Sequence, residues 1–253
     1  MLWLHIQAPF AACRPFVAGW FRPTAGFLTH SAAYGLILNI AGIESRLLEG
    51  DPAHDNKTAA TLIRTGLPLF KLALGSFSES PSRVVSVYQQ LHNYPVGSSA
   101  GTDAKLAKGR KNNIAPVRRE ILCDIDAVAV IKDEPEELLA AIRRGLSGEA
   151  SQSRYGVPFL GDNNYTLDTL EEIQPRAARW YAEVRPGGIG KPREGTTRLT
   201  IRIDRADMSK TVSGLFAPGE TLALDPPPDA FVEVGPAGEN ASLVNNSKTG
   251  NTL

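Results

Sequence analysis

LWLHIQAPFAACRPFVAGWFRPT (residues 2–24) runs through Ala25 into GFLTHSAAYGLILNIAGIESR (residues 26–46), and the fold turns on this stretch. Leu2, Leu4 and Ile6 alternate with Trp3, His5 and Gln7, the period-2 pattern of a half-buried strand that Pro9 is expected to end. From residue 31 the period changes. Thr29, His30 and Ser31 offer capping side chains, and Ala32, Ala33, Leu36, Ile37, Ile40 and Ile43 recur at helical spacing over residues 31–48. Between strand and helix lie Arg14, Phe16, Trp20, Phe21 and Arg22. Arginines neutralise phosphates and flat rings stack on bases, so this loop is a candidate RNA contact. The same rings would also serve to pack over the helix, and composition by itself favours that use.

The segment from Pro9 through Arg14, the Arg22-Pro23-Thr24 turn and the helix start Ser31-Ala32-Ala33-Tyr34-Gly35-Leu36 resembles the N-terminus of the Cas five family. These are RAMP-superfamily subunits of type I CRISPR surveillance complexes, or Cascade. The wording AGWFRPT followed by SAAYGLILNIAGIE is most similar to the type I-B or Myxococcus-type branch. The resemblance is closest over residues 1–46 and extends, by order of elements, to about residue 165. It implies a ferredoxin-like (RRM/RAMP) RNA-binding fold that begins with this strand and helix and carries an inserted basic β-hairpin thumb. It further implies a non-catalytic subunit holding the 5′ handle of the crRNA, beside a backbone subunit of the Cas seven family, a large subunit of the Cas eight family and target DNA, in antiviral defence. Arg14, Trp20, Arg22 and Tyr34 fall in the matching segment and are expected RNA contacts.

Composition fits one large core or a core plus a small annex: 253 residues, 42% hydrophobic. Lys and Arg total 27, as do Asp and Glu, so no global positive field points to nucleic acid. The charge is segregated instead. From Arg83 to Leu122, seven basic residues face Asp103 and Glu120, a surplus of five. From Lys132 to Glu172 the acids exceed the bases by five, and from Pro175 to Arg205 the bases lead again by five. Alternating blocks suit a subunit that meets both RNA and protein. Two cysteines, Cys13 and Cys123, offer no secreted framework, and a basic leader with an uninterrupted apolar run is absent from residues 1–30, so a cytoplasmic protein is expected. Leu36 to Ile43, interrupted by Asn39 and Gly42, falls far short of the ~20 residues of a membrane span.

Further strands are expected at Gly66–Leu74, Arg83–Leu91 and Arg119–Ile131, with a turn at Ser76–Ser82. Glu134–Leu146 carries Pro135 near its start, acids in its first turn, arginines in its last and Gly145 and Gly148 at its end, the marks of a helix. Tyr155–Leu160 is the expected closing strand. The whole is α+β, with a ferredoxin-like domain over 1–165, a thumb insert at about 83–119, a smaller β-rich C-terminal region over 166–234 and a disordered tail over 235–253. Within the C-terminal region, Arg176–Val184 reads equally as helix or strand and Thr196–Ile203 as a strand.

Lys105, Lys108, Arg110 and Lys111 cluster between Gly97, Gly101 and Gly109, with His92 at the insert's base and Arg118 on its return. A charge run is usually a solvated surface, but at the thumb position these residues, His92 and Arg118 become expected RNA contacts, with His92 and Tyr94 placed either to stack on a base or to order the hairpin. Other site patterns fail. Gly187-Gly188-Ile189-Gly190-Lys191 lacks the first glycine of a phosphate loop, which Arg185 replaces, and Pro192 stands where a magnesium-binding hydroxyl is required. His5, His30, His54 and His92 are scattered, so neither a metal nor a cofactor is expected; His30 is expected to help cap the helix. The rival reading is a metal-independent endoribonuclease that processes pre-crRNA, as in type I-C relatives. Those carry adjacent Lys and His, a pair this sequence lacks, and Tyr34, His92 and Lys105 would have to be assembled by the fold.

Overall fold

The computed structural model describes residues 1–15, 17, 21–47, 61–95, 112–149, 154, 156–184 and 193–236, with side chains for all of these except 90–95 and 112–116. The chain is α+β. In order come β1 (Leu2–Ala11), β2 (Phe21–Arg22), α1 (His30–Ile40), β3 (Phe70–Ser76), β4 (Arg83–Pro95), β5 (Asn112–Lys132), α2 (Glu136–Leu146), β6 (Thr169–Glu172), β7 (Arg179–Glu183), β8 (Thr197–Arg202), β9 (Val212–Pro218) and β10 (Val232–Val234). Four strands, in the spatial order β6-β1-β5-β3, are each antiparallel to their neighbours. Along the chain β1, α1, β3, β5, α2 and β6 read strand, helix, strand, strand, helix, strand. From β3 the sheet continues through β7, β9 and β8, and β10 also pairs with β3.

Both faces of the central strands are covered. On one, Leu2, Leu4 and Ile6 of β1 join Leu72 and Leu74 of β3 and Ala127, Ala129 and Ile131 of β5 beneath Ile37, Ile40, Leu138 and Ile142 of the helices. The helices cross tightly: a Cβ on Gly145 would lie 1.8 Å from the Ile40 carbonyl oxygen. On the other face Trp3, Ala73, Val128 and Val130 meet Ala178 and Trp180 of the C-terminal region. Trp3 and Trp180 pack edge to face at 5.4 Å, and Trp180 Nε1 donates to the Ala223 carbonyl at 2.8 Å. Among the described residues no helix is long and apolar enough to cross a membrane.

Several expectations need correction. β1 runs past Pro9 to Ala11. β6 pairs β1 only over Leu4–Gln7, so Pro9 sits where that edge carries no ladder, the position proline tolerates. Level with Pro9, Asp124 on β5 adopts φ 55°. Leu2, Leu4, Ile6 and Ala8 face the helices, and after a step of three rather than two so do Ala11 and Cys13; on β5, Ile125 faces them and, three residues before it, so does Leu122. The alternation therefore shifts phase on both strands together. Tyr155–Leu160 is not the closing strand: among the described residues it contributes one bridge, Phe159 to Thr166, and the partner of β1 is Thr169–Glu172. β3 begins at Phe70 rather than Gly66, whose own φ is 72°. α1 is shorter than its pattern, because Gly42, at φ 71°, follows its C-cap. Thr29, not His30, caps it, its side-chain oxygen accepting from the Ala32 N–H. Within Arg176–Val184 the chain forms a strand over Arg179–Glu183, and Gly235 and Pro236 are buried; the remainder of the tail lies outside the described residues.

Candidate nucleic-acid interface

Valine-rich β4 and the outer half of β5 pair from Arg83 with Cys123 out to Pro95 with Asn112, a two-stranded arm that at ~3.3 Å per residue is about 40 Å long. β5 is 21 residues long: its inner half pairs with β1 over Leu122–Ile131 and with β3 over Ala127–Lys132, and its outer half builds the arm. β2 runs parallel to β5 along the edge opposite β4, Phe21 level with Arg118 and Arg22 with Arg119.

Paired residues share a face, so two rows cross the root of the arm. The first is Tyr88, Arg118 and Phe21. Tyr88 is 83% exposed and Phe21 43%, and the Arg118 guanidinium stands 5.6 Å from the centre of the Phe21 ring. Arg118 also donates to Ser86 Oγ at 3.3 Å. The second row is Val87, Arg119 and Arg22. Arg119 is buried, donating to Asp162 at 2.5 Å and to Gln89 Oε1 at 3.3 Å, with its guanidinium 5.2 Å from the Tyr165 ring; among the described residues its Nε–H has no hydrogen-bond partner. Arg14 pairs with the same carboxylate. Burial pushes the Asp162 carboxyl up, but hydrogen bonds from the Asn164 N–H and from Arg14 and Arg119 outweigh it and hold the group below its ordinary value. The loop bearing Asp162 locks to β1: Ala12 N–H donates to the Leu160 carbonyl at 3.3 Å. Gly161 there, at φ 77°, leaves no space for a side chain, since a Cβ would sit 2.4 Å from the Ala12 carbonyl oxygen. Thr24 N–H donates to Glu120 at 3.2 Å, fastening the turn after β2 to the arm.

Of the residues expected from sequence, Arg14, Arg22 and Arg118 come together at this root. Tyr34 lies elsewhere: it is on α1, its hydroxyl donating to the Pro68 carbonyl at 3.0 Å and its ring 5.5 Å from Phe70. Trp20, Lys105, Lys108, Arg110 and Lys111 lie outside the described residues, as do the Gly187–Lys191 loop and the side chains of His92 and Tyr94. Tyr88 escaped the sequence reading. The strand was visible, but the long connection between β4 and β5 left the hairpin register open, and register is what sets Tyr88 beside Arg118. His5 sits on the other face of the central sheet, where Asp126 at 2.7 Å and Glu171 at 3.4 Å receive it. Among the described residues no cluster of histidine, cysteine and carboxylates has the make-up of a metal site.

No family model and no curated protein sequence matches this chain. It is similar to a solved chain described as a CRISPR RNA-guided surveillance complex, with 14% identity and a TM-score of 0.48 over 90% of this chain and 95% of that one. It is also similar to a chain described as a crystal structure of Cas protein, with 14% identity and a TM-score of 0.39 over 87% of this chain and 93% of that one.

Proposed function

We propose that this chain is a non-catalytic RNA-binding subunit of a type I CRISPR Cascade, of the Cas five type, which caps the 5′ handle of the guide RNA in the cytoplasm and joins a backbone and a large subunit for DNA targeting. One observation carries the reading. At the root of an arm rising from the sheet, Arg14, Arg22, Arg83, Arg118 and Arg119 outnumber Glu120, Asp124 and Asp162, and the connecting residues 96–111 add Lys105, Lys108, Arg110 and Lys111. Such a surplus suits a phosphate backbone. Two features support it: the N-terminal resemblance, and the antiparallel strand order β6-β1-β5-β3, which is compatible with the split βαβ plan that the resemblance implies. Asp162 fixes Arg119 and Arg14 and so aims the root, while Arg118 remains at the surface to meet phosphate.

The test is to express the chain with a repeat–spacer array and the neighbouring backbone and large subunits, purify it, and sequence the RNA that accompanies it. One copy of the chain per complex, on RNA with a uniform handle at its 5′ end, is expected. Recovery free of RNA, or in several copies per guide, would refute the proposal. The absence of an adjacent Lys-His pair underlies the non-catalytic part. Discrete cleavage of repeat RNA by the purified chain, lost in His92→Ala, would replace it with the nuclease reading.

A further inference from the structure

We infer that the Tyr88–Arg118–Phe21 row is a stacking platform for unpaired bases of the bound RNA, with the two rings carrying bases and Arg118 holding the phosphate between them; this rests on the RNA-binding reading above. The placement of the row is the first reason. An antiparallel register on one side of β5 and a parallel one on the other bring the three side chains abreast on one face. With strands ~4.8 Å apart the outer two are separated by about 9.5 Å. An aromatic with most of its surface in water gains little for folding, and Tyr88 is 83% exposed. A single exposed ring would be unremarkable; here two flank a guanidinium already within cation–π range of one of them. The chemistry of the row matches a nucleotide strand in kind, flat apolar faces for bases and a planar cation for phosphate, and sheet-borne aromatics are a recurring way to hold unstacked bases. The surrounding Arg83–Leu122 segment, five charges to the positive, favours a polyanion over an apolar protein surface as the occupant.

The experiment compares two probes on the full-length chain: a short labelled single-stranded RNA of mixed sequence, and the same phosphodiester chain with abasic positions. Stacking on one ring changes affinity roughly tenfold or more. Tyr88→Leu should therefore weaken the base-bearing probe about tenfold and leave the abasic probe unchanged. Tyr88→Phe should restore wild-type binding, and Arg118→Ala should weaken both probes. Because Tyr88 is exposed, its variants should keep the wild-type melting curve, which removes misfolding as an explanation. Equal losses on both probes, or unchanged affinity of Tyr88→Leu and Phe21→Leu, would overturn the platform while leaving RNA binding intact; the second result would assign the row to a protein neighbour. Wild-type chain that binds neither probe would overturn the RNA reading along with it.

Discussion

His30 offers a quantitative test of the core. Although it is the first residue of α1, its ring is fully buried against Phe216, at 4.8 Å, and among the described residues neither ring nitrogen has a hydrogen-bond partner. Burial drives its pKa down from 6.5 to about 3. The folded state therefore stays neutral through a range in which the unfolded chain takes up a proton, so stability falls as pH drops below about 6.5. At pH 5 the unfolded histidine lies 1.5 units below its own pKa, and at ~1.36 kcal/mol per unit the loss relative to pH 8 is about 2 kcal/mol. In a chain of this size that is a shift of roughly 4–8 °C in melting temperature. The paired carboxylates have depressed values and lose their contribution only at lower pH, so they do not mask it. The assay is urea unfolding of wild type and His30→Leu at pH 8 and pH 5. The difference between the two proteins should change by about 2 kcal/mol across that interval, with the variant the less sensitive. Because leucine also removes an unpaired donor and acceptor, the variant should match or exceed wild-type stability at pH 5. Parallel losses in both proteins would refute the placement of an uncharged, unpartnered ring in the core.

Replacing Asp162 with Asn should cost about 3–5 kcal/mol, because Arg119 would be left buried without a counter-charge; Asp162→Asn combined with Arg119→Met should recover most of the loss in a chemical melt. Gly145→Ala should destabilise by about 1–3 kcal/mol through the clash with the Ile40 carbonyl, whereas the same change at Gly35, where none of the described residues comes within 4 Å of the added Cβ, should not. Replacing Lys108, Arg110 and Lys111 together by Ala should lower the slope of log affinity for single-stranded RNA against log salt by roughly 2, and an unchanged slope would remove residues 96–111 from the RNA path.

Where a residue's neighbours along the chain determine its role, sequence reading served well. β1, β4, the inner part of β5 and α2 follow from alternation, valine content and end signals, since each is set by a local period or dipole. The closing strand escaped because Thr169–Glu172 is short and acidic and is a strand only through its pairing with Leu4–Gln7. Pro9 misled because its effect depends on which edge is paired. His30, polar and beside a cap residue, gave no hint of burial; Phe216, which covers it, is nearly two hundred residues away. The arginines of the root were legible as a charge surplus, but the division of labour between Arg118 at the surface and Arg119 in the interior needed the β4–β5 register and the Asp162 loop.

The position of β1 between β6 and β5 has a consequence for biosynthesis. Its two partners lie at Leu122–Ile131 and Thr169–Glu172, so a nascent chain holding residues 2–11 must extend by about 160 residues before both edges are met. At ~5–20 residues per second that is roughly 10–30 s on the ribosome before the second backbone edge of β1 finds its partner. The β4–β5 arm, by contrast, closes on itself as soon as residue 123 is made. The arm should therefore form ahead of the sheet that anchors it, while one edge of β1 stays unpaired until β6 has been synthesised.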